Sequence, residues 1–329
     1  MRYLVTGGTG FLGGHLISAL LARGDEVVAM GRNPDKCAAL GRLGVEGVRC
    51  ELTDREAVTV CFERADVVFH TAALTAPWGA YRDFYAANVT ATQNVVHAAL
   101  RNGVRRLVLV SSPSVTLDQG DQVETNETTP YARKFLSPYP LTKKLAEDVV
   151  NQVRSQIELV ILRPKAIFGP GDHALLPRLI AAARNGRLRQ IGDGSNLVDV
   201  TYVGNVVDAL LLAADPGRPS GGTYIITNGE HVPLWPLVRR LLAAAGCDAS
   251  LRATPCAIAY GVAALMEWKA RWTKVEPPLT RYAVALLGRT QTYSIEAARR
   301  DLGYSPRISV NAAVELTLPW LSGARLSAE

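Results

Sequence analysis

Thr6-Gly7-Gly8-Thr9-Gly10-Phe11-Leu12-Gly13 lies between the apolar run Tyr3-Leu4-Val5 and a segment in which Leu12, Leu16, Ala19 and Leu20 recur at helical spacing. Gly24 is placed to stop that helix. A glycine-rich turn between a strand and a helix lets the backbone approach a pyrophosphate, and the free N–H groups of the helix start face it. The early glycines Gly7 and Gly10 allow the tight turn and the close approach, and Gly13 allows close helix–strand packing. Thr9, Phe11 and Leu12 complete the loop. The stretch therefore reads as a dinucleotide cradle at the first strand of a doubly wound sheet.

Further apolar strands are expected at Val27–Met30, Val67–Phe69, Leu107–Val110 and Leu159–Leu162, with a helix from about Phe84 to Asn102. Such alternation predicts an α/β fold of the Rossmann type, a doubly wound parallel sheet covered on both faces. The pattern changes after Arg163-Pro164. Helices are expected near Leu175–Asn185, Asn205–Ala214, Leu234–Ala245, Ile258–Arg271 and Ser294–Asp301, and short strands near Leu197–Thr201 and Thr223–Thr227. Residues 1–165 thus read as the dinucleotide-binding domain. Residues 166–329 read mainly as a smaller substrate lobe, some of whose segments return to the Rossmann core.

The chain has 329 residues, 48 % of them apolar and 20 % charged, enough to bury a large core. Its net charge of +6 is scattered, and no basic run or aromatic–basic interleaving marks a nucleic-acid face. The five cysteines form no C-x-x-C and fit a reduced, cytoplasmic protein. No signal peptide is read at the N-terminus. The longest apolar run, Cys256 to Met266, falls short of the roughly 20 residues a bilayer span needs.

Pro138-Tyr139-Pro140-Leu141-Thr142-Lys143 places Tyr139 and Lys143 on one helix face. An ammonium beside a phenol favours the phenolate and brings the tyrosine closer to working pH. Ser112 ends the strand Leu107–Val110 and can donate to a reacting oxygen, with Ser111 and Ser114 close by. A serine and a Tyr-x-x-x-Lys pair joined to a dinucleotide turn point to hydride transfer between a carbonyl and a carbinol. Lys143 and Tyr139 also belong to the expected cofactor contacts. At the end of the second strand, where NAD-selective sites carry a carboxylate, stands Gly31-Arg32-Asn33. Arg32 can bond a 2′-phosphate, so NADP(H) is favoured, with NAD(H) as the alternative. Glu51 and Leu52 are expected to flank the adenine, and Thr71, Ala72 and Ala73 to allow close cofactor approach. His70 reads as a strand-end histidine satisfied by backbone. No metal site is read.

The sequence resembles the extended short-chain dehydrogenases/reductases over nearly its whole length. Thr6 to Gly13 resembles the T-G-x-x-G-x-x-G of that family, and Asn88-Val89 its structural asparagine. Ser112, Tyr139 and Lys143 fall on its catalytic positions. Arg163-Pro164-Lys165-Ala166-Ile167-Phe168-Gly169-Pro170-Gly171 resembles the segment whose backbone, here Pro164, Ala166 and Ile167, faces the nicotinamide. Pro138 to Glu147 and Val198 to Val206 are most similar to the 3β-hydroxysteroid dehydrogenase branch, and within it to bacterial members that include 2-alkyl-3-oxoalkanoate reductases. Pro113 after the serine removes a backbone donor, which leaves oxyanion contacts to side chains.

The resemblance implies an NADP-dependent reduction of a 2-alkyl-3-oxoalkanoic acid to the 3-hydroxy acid by a homodimer. A 3β-hydroxysteroid or sterol dehydrogenase and a sugar-nucleotide epimerase or dehydratase are the alternatives. Trp78, Tyr81, Ser114 and Tyr202 are the expected substrate residues, together with an apolar segment over 255–282. That segment reads either as pocket wall for a hydrophobic small molecule or as core of the small lobe. Because it ends in Lys269, Arg271 and Lys274, peripheral membrane contact is a third expectation.

Overall fold

A computed structural model describes residues 1–323. Its centre is a seven-stranded parallel sheet in the order β12-β7-β5-β4-β1-β2-β3. These strands are β1 (Arg2–Thr6), β2 (Glu26–Gly31), β3 (Glu46–Arg49), β4 (Val67–His70), β5 (Arg106–Val110), β7 (Glu158–Pro164) and β12 (Thr223–Ile226). The remaining strands are short. Gln122–Thr125 (β6), Leu197–Val198 (β10), Val232–Pro233 (β13) and Gln291–Tyr293 (β15) form a four-stranded sheet. Ile167–Phe168 (β8) pairs with Thr201–Tyr202 (β11), and Gln190–Ile191 (β9) with Ala253–Thr254 (β14).

The two-residue period of the strands divides the core. Tyr3, Val5, Val67, Phe69, Val108 and Val110 face one side, where they meet Leu16 and Leu20 of helix α1 (Phe11–Ala22). Leu4, Val68, Leu107 and Leu109 face the other side. There they meet Val58 of α3 (Arg55–Cys61) and Val95 and Ala98 of α5 (Ala91–Arg101). Helix α2 (Pro34–Gly41) follows β2 and is capped by the Asn33 side chain, as α3 is by Asp54. Burying apolar residues on both faces is what a parallel sheet requires.

The expected helix near 84–102 begins at α4 (Tyr81–Phe84) and runs through a π-helical turn, Tyr85–Thr90, into α5. The second half contributes directly to the central unit. β12 pairs with β7, and Val206 and Leu210 of α8 (Val203–Ala214) join the core beside α1. A separate core forms around Trp235 of α9 (Leu234–Ala244). It gathers Leu176 and Ile180 of α7 (Leu175–Arg184), Ala259 and Ala263 of α10 (Cys256–Thr273) and Val314 of α12 (Val310–Gly323).

Two expectations are corrected, and two helices are added. The strand near 197–201 is interrupted at Asp199, whose buried carboxylate accepts from His231 and from Tyr293 N of β15. The helix near Ser294–Asp301 is mostly a π turn, Ala298–Leu302. Helices α11 (Arg281–Gly288) and α12 lie in stretches that gave no periodic signal.

Candidate active site

The chain leaves β1 toward β2 and β3 and then returns to lay β4 on the other flank of β1. At the carboxyl ends of β1 and β4 this reversal opens a crevice, the place where such sheets bind ligands. Thr6 and His70 are register partners at its floor. Gly7 has φ +71°, and a Cβ there would lie 2.9 Å from the Ala72 backbone. At Gly13 a Cβ would sit 2.3 Å from Gly7 O. Only glycine allows this turn to close so tightly.

The start of α1 fits a pyrophosphate. Unlike α2 and α3, it has no side-chain cap, and its first turn carries no acidic residue. Its leading N–H groups therefore await an anionic acceptor. Arg32 follows β2, is exposed, and makes no ion pair among the described residues. Glu51 is exposed at the end of β3, whereas the Leu52 carbonyl already accepts from Asn94 Nδ2 at 2.8 Å.

His70 departs from the sequence reading. Its partners are side chains, not backbone: Thr6 Oγ1 at 2.8 Å on Nδ1 and Thr92 Oγ1 at 3.0 Å on Nε2. Burial, with Lys143 adding to it, pushes its pKa down to about 3, so the ring is neutral at physiological pH. Thr71 Oγ1 donates to Thr6 O at 2.7 Å and fixes the following loop, with Ala72 half-buried and Ala73 exposed. Asn88 clamps that loop: its Oδ1 accepts from Leu74 N at 2.7 Å, and its Nδ2 donates to Leu74 O at 3.1 Å and to Thr142 Oγ1 at 2.9 Å. Both amide hydrogens are used, which makes Asn88 a positioning residue rather than a direct cofactor donor.

Tyr139 and Lys143 project from the first turns of α6 (Pro138–Asn151), which Ser137 caps by accepting from Tyr139 N at 3.1 Å. Ser111 and Ser112 part ways at the end of β5. The buried Ser111 Oγ donates to Glu147 Oε1 at 2.5 Å. Ser112 caps the short turn Pro113–Thr116, accepting from Ser114 N at 3.2 Å and from Ser114 Oγ at 2.9 Å. The Ser112 side chain is also a hydrogen-bonding neighbour of the Tyr139 hydroxyl.

The electrostatics differ from the sequence expectation. Burial raises the Tyr139 pKa, and Ser112 offsets part of that rise. The net shift is thus opposite to the sequence expectation; Lys143 is itself buried, and its Nζ donates to Val110 O at 2.6 Å. Burial lowers the Lys143 pKa to about 8, with Glu147 opposing. A buried lysine costs stability while it stays protonated. Between about pH 8 and its unfolded value near 10.4, the unfolded chain binds the extra proton. Stability from this group therefore rises with pH in that window, by up to about 1.4 kcal/mol per unit. Urea unfolding of Lys143→Met is expected to show a shallower rise over that range than the parent, and an equal slope would overturn this assignment.

The segment after β7 bulges. Ala166 sits at φ +42°, a strained value for a residue with a Cβ. It is held by Thr201 N on Ala166 O at 3.2 Å, by Thr201 Oγ1 on Lys165 O at 2.5 Å, and by Lys165 N on Ile226 O at 3.0 Å. Pro164, Ala166 and Ile167 thus carry a fixed backbone at the edge of the crevice.

The expected substrate residues scatter. Ser114 is buried and joined to Ser112, and Tyr202 meets Phe168 edge-on at 6.3 Å. Trp78 is half-buried, but Tyr81 is exposed and pairs with Tyr85 at 5.8 Å. Ile258, Leu265, Trp268 and Trp272 stand in solvent, so they are neither pocket wall nor lobe core. Two residues the sequence reading did not single out adjoin the site. Tyr282 of α11 packs with Leu117 in the cluster that holds the Tyr139 ring, and its hydroxyl lies near Ser114. Glu147 binds Arg163 through two bonds, at 2.9 and 2.6 Å. Glu147 had a signal, since it lies four residues beyond Lys143 on the same helix face; Tyr282 had only its place at the end of the apolar segment 255–282.

Sheet, glycine turn and the Ser112, Tyr139, Lys143 cluster together define an extended short-chain dehydrogenase/reductase, an oxidoreductase class. Residues 4–254 match the profile of the 3-beta hydroxysteroid dehydrogenase/isomerase family. The chain is 41 % identical over 319 residues to a 2-alkyl-3-oxoalkanoate reductase of Stenotrophomonas maltophilia, covering 94 % of this chain and 96 % of that protein. A human sterol-4-alpha-carboxylate 3-dehydrogenase, decarboxylating, is 35 % identical over 334 residues, with 96 % and 87 % covered. Among solved structures, MoeE5 in complex with UDP-glucose and NAD superposes with a TM-score of 0.77 at 26 % identity, covering 97 % and 98 % of the two chains. The chain belongs to the 3-beta hydroxysteroid dehydrogenase/isomerase family.

Proposed function

We propose that this protein reduces a 2-alkyl-3-oxoalkanoic acid to the 3-hydroxy acid with NADPH. The observation that carries the reading is the 41 % identity, along nearly the full chain, to a reductase of that name, combined with the Ser112, Tyr139 and Lys143 cluster. When bound, the dinucleotide supplies the hydride that reaches the carbonyl carbon. Tyr139 gives its phenolic proton to the carbonyl oxygen as the C–H bond forms, and Ser112 donates a hydrogen bond to the same oxygen. The phenolate then recovers a proton from solvent, so ketone, hydride and proton balance to a secondary alcohol. Lys143 bonds the nicotinamide ribose, moving from Val110 O to do so. Arg32 pairs with the 2′-phosphate. The protein acts as a homodimer in the cytoplasm, a setting that its five free thiols suit.

The test is NADPH oxidation at 340 nm with a long-chain 2-alkyl-3-oxo acid, with NADH run alongside. Turnover with NADPH is expected, and Arg32→Ala is expected to raise the Michaelis constant for NADPH far more than that for NADH. Equal effects would remove the phosphate contact. The human relative favours a second reading, oxidation of a sterol alcohol. Turnover of sterol alcohols with NAD⁺, or of a UDP-sugar, in place of the keto acid would overturn the first.

A further inference from the structure

Pro113 leaves no backbone donor directly after Ser112, so side chains must prepare that serine for a reacting oxygen. A hydroxyl has two lone pairs and one hydrogen. Both lone pairs of Ser112 Oγ are taken by Ser114, whose N donates at 3.2 Å and whose Oγ donates at 2.9 Å. The Ser112 hydrogen is then all it has to offer. Ser114 is buried and gives both of its donors to Ser112. Its Oγ can still accept, and the Tyr282 hydroxyl is its hydrogen-bonding neighbour. Burial raises the Tyr282 pKa, so that phenol keeps its hydrogen at neutral pH.

Both sides of this contact are held in place. Tyr282 is the second residue of α11, which Thr280 caps by accepting from Ala283 N at 3.0 Å. The Gln291 side chain donates to Ala285 O at 2.8 Å and ties the same helix to β15. The Tyr282 ring is buried with Leu117 in the cluster that holds the Tyr139 ring. Opposite, Thr116 Oγ1 donates to Pro113 O at 2.9 Å, and Gln122 Nε2 donates to Thr116 O at 2.7 Å, which fixes the turn that carries Ser114. Helix α11 comes from the second half of the chain and both serines from the first, so the two halves meet at this hydroxyl. Hydrogen bonds in series polarise one another. A serine at the end of such a series donates more strongly, and most usefully where charge develops on a reacting oxygen.

We propose that Tyr282 is a positioning residue of the reaction: its hydroxyl donates to Ser114, Ser114 donates to Ser112, and Ser112 meets the reacting oxygen as the last donor of a hydroxyl chain. The inference rests on the reading of Ser112 and Tyr139 as the pair that contacts that oxygen. Each hydroxyl keeps its own hydrogen, so no proton passes along the chain.

The test is a double-mutant cycle on the full chain, read as kcat and as Michaelis constants. It uses the keto acid with NADPH or, where a sterol alcohol or a UDP-sugar is the compound that turns over, that compound, so the substrate reading and the chain fail separately. Tyr282→Phe removes one oxygen and keeps the packed ring, and thermal melts by circular dichroism check that it folds. It is expected to lower kcat about five- to tenfold with the Michaelis constant for the dinucleotide unchanged. In a Ser112→Ala background the same change is expected to cost less than about twofold, because the chain then ends on nothing. A role in packing alone would lower kcat by the same factor in both backgrounds, and that result would overturn the proposal. So would parental kcat in Tyr282→Phe. Parental kcat in Ser112→Ala would overturn the underlying reading and the chain with it. Should Tyr282→Phe fail to fold, Ser114→Ala in the same two backgrounds decides by the same rule.

Discussion

Replacing Tyr139 with phenylalanine is expected to lower turnover by about 10²- to 10⁴-fold while leaving dinucleotide affinity nearly unchanged. The size follows from what one hydroxyl does. It is the single acid placed beside Ser112, and burial raises its pKa, so it is protonated and ready to donate at neutral pH. Phenylalanine keeps the ring, which packs with Leu117, Leu136 and Tyr282, so the site should not collapse. The Lys143 bond to Val110 O does not involve the phenol. Single-turnover kinetics with saturating dinucleotide isolate the chemical step, and fluorescence titration of the dinucleotide reports affinity. Near-parental turnover in Tyr139→Phe would remove Tyr139 as the proton donor. Loss of dinucleotide binding with turnover would instead make it an anchor.

The central sheet was legible because strands buried on both faces leave uninterrupted apolar runs, and Gly7 and Gly13 of the turn stand where a Cβ would collide with backbone. Tyr139 and Lys143 were legible because helical periodicity fixes which residues share a face. The failures have one source: contacts between residues distant in sequence. β12 is a short strand anywhere until β7 is there to receive it. Helix α11 is eight residues long, too short for its period to stand out, and its Tyr282 reaches Ser114 only through the tertiary fold. The electrostatic misreading of Tyr139 is of the same kind. A lysine four residues away predicts a stabilised phenolate, but burial of the phenol turns the shift the other way. Apolar content over 255–282 was evident, but whether it faced inward depended on which small residues, Ala259 and Ala263, met the lobe.

Removing the Glu147 carboxylate is expected to cost more stability than any other single change near the site, about 3–5 kcal/mol for Glu147→Ala. Four groups converge on that carboxylate in a dry interior. Arg163 donates through Nε at 2.9 Å and Nη2 at 2.6 Å, Ser111 Oγ at 2.5 Å, and the Tyr131 hydroxyl at 2.8 Å. Both charged partners are almost wholly buried, with side-chain exposures of 5 % for Arg163 and 1 % for Glu147. Alanine would leave a guanidinium with no counter-charge and no water, and Arg163 Nη1 already lacks a partner. The same carboxylate ties α6 to the ends of β5 and β7, one residue from Ser112 and one from Pro164. Its loss should therefore loosen the site as well as the fold. Glutamine keeps two of the bonds and should fall between. Changing Glu147 and Arg163 together to methionine should cost less than Glu147→Ala, because it removes the orphaned charge along with its partner. Denaturant midpoints of the three variants decide the matter: a double variant no more stable than Glu147→Ala would show that packing around the pair, not the uncompensated arginine, sets the loss.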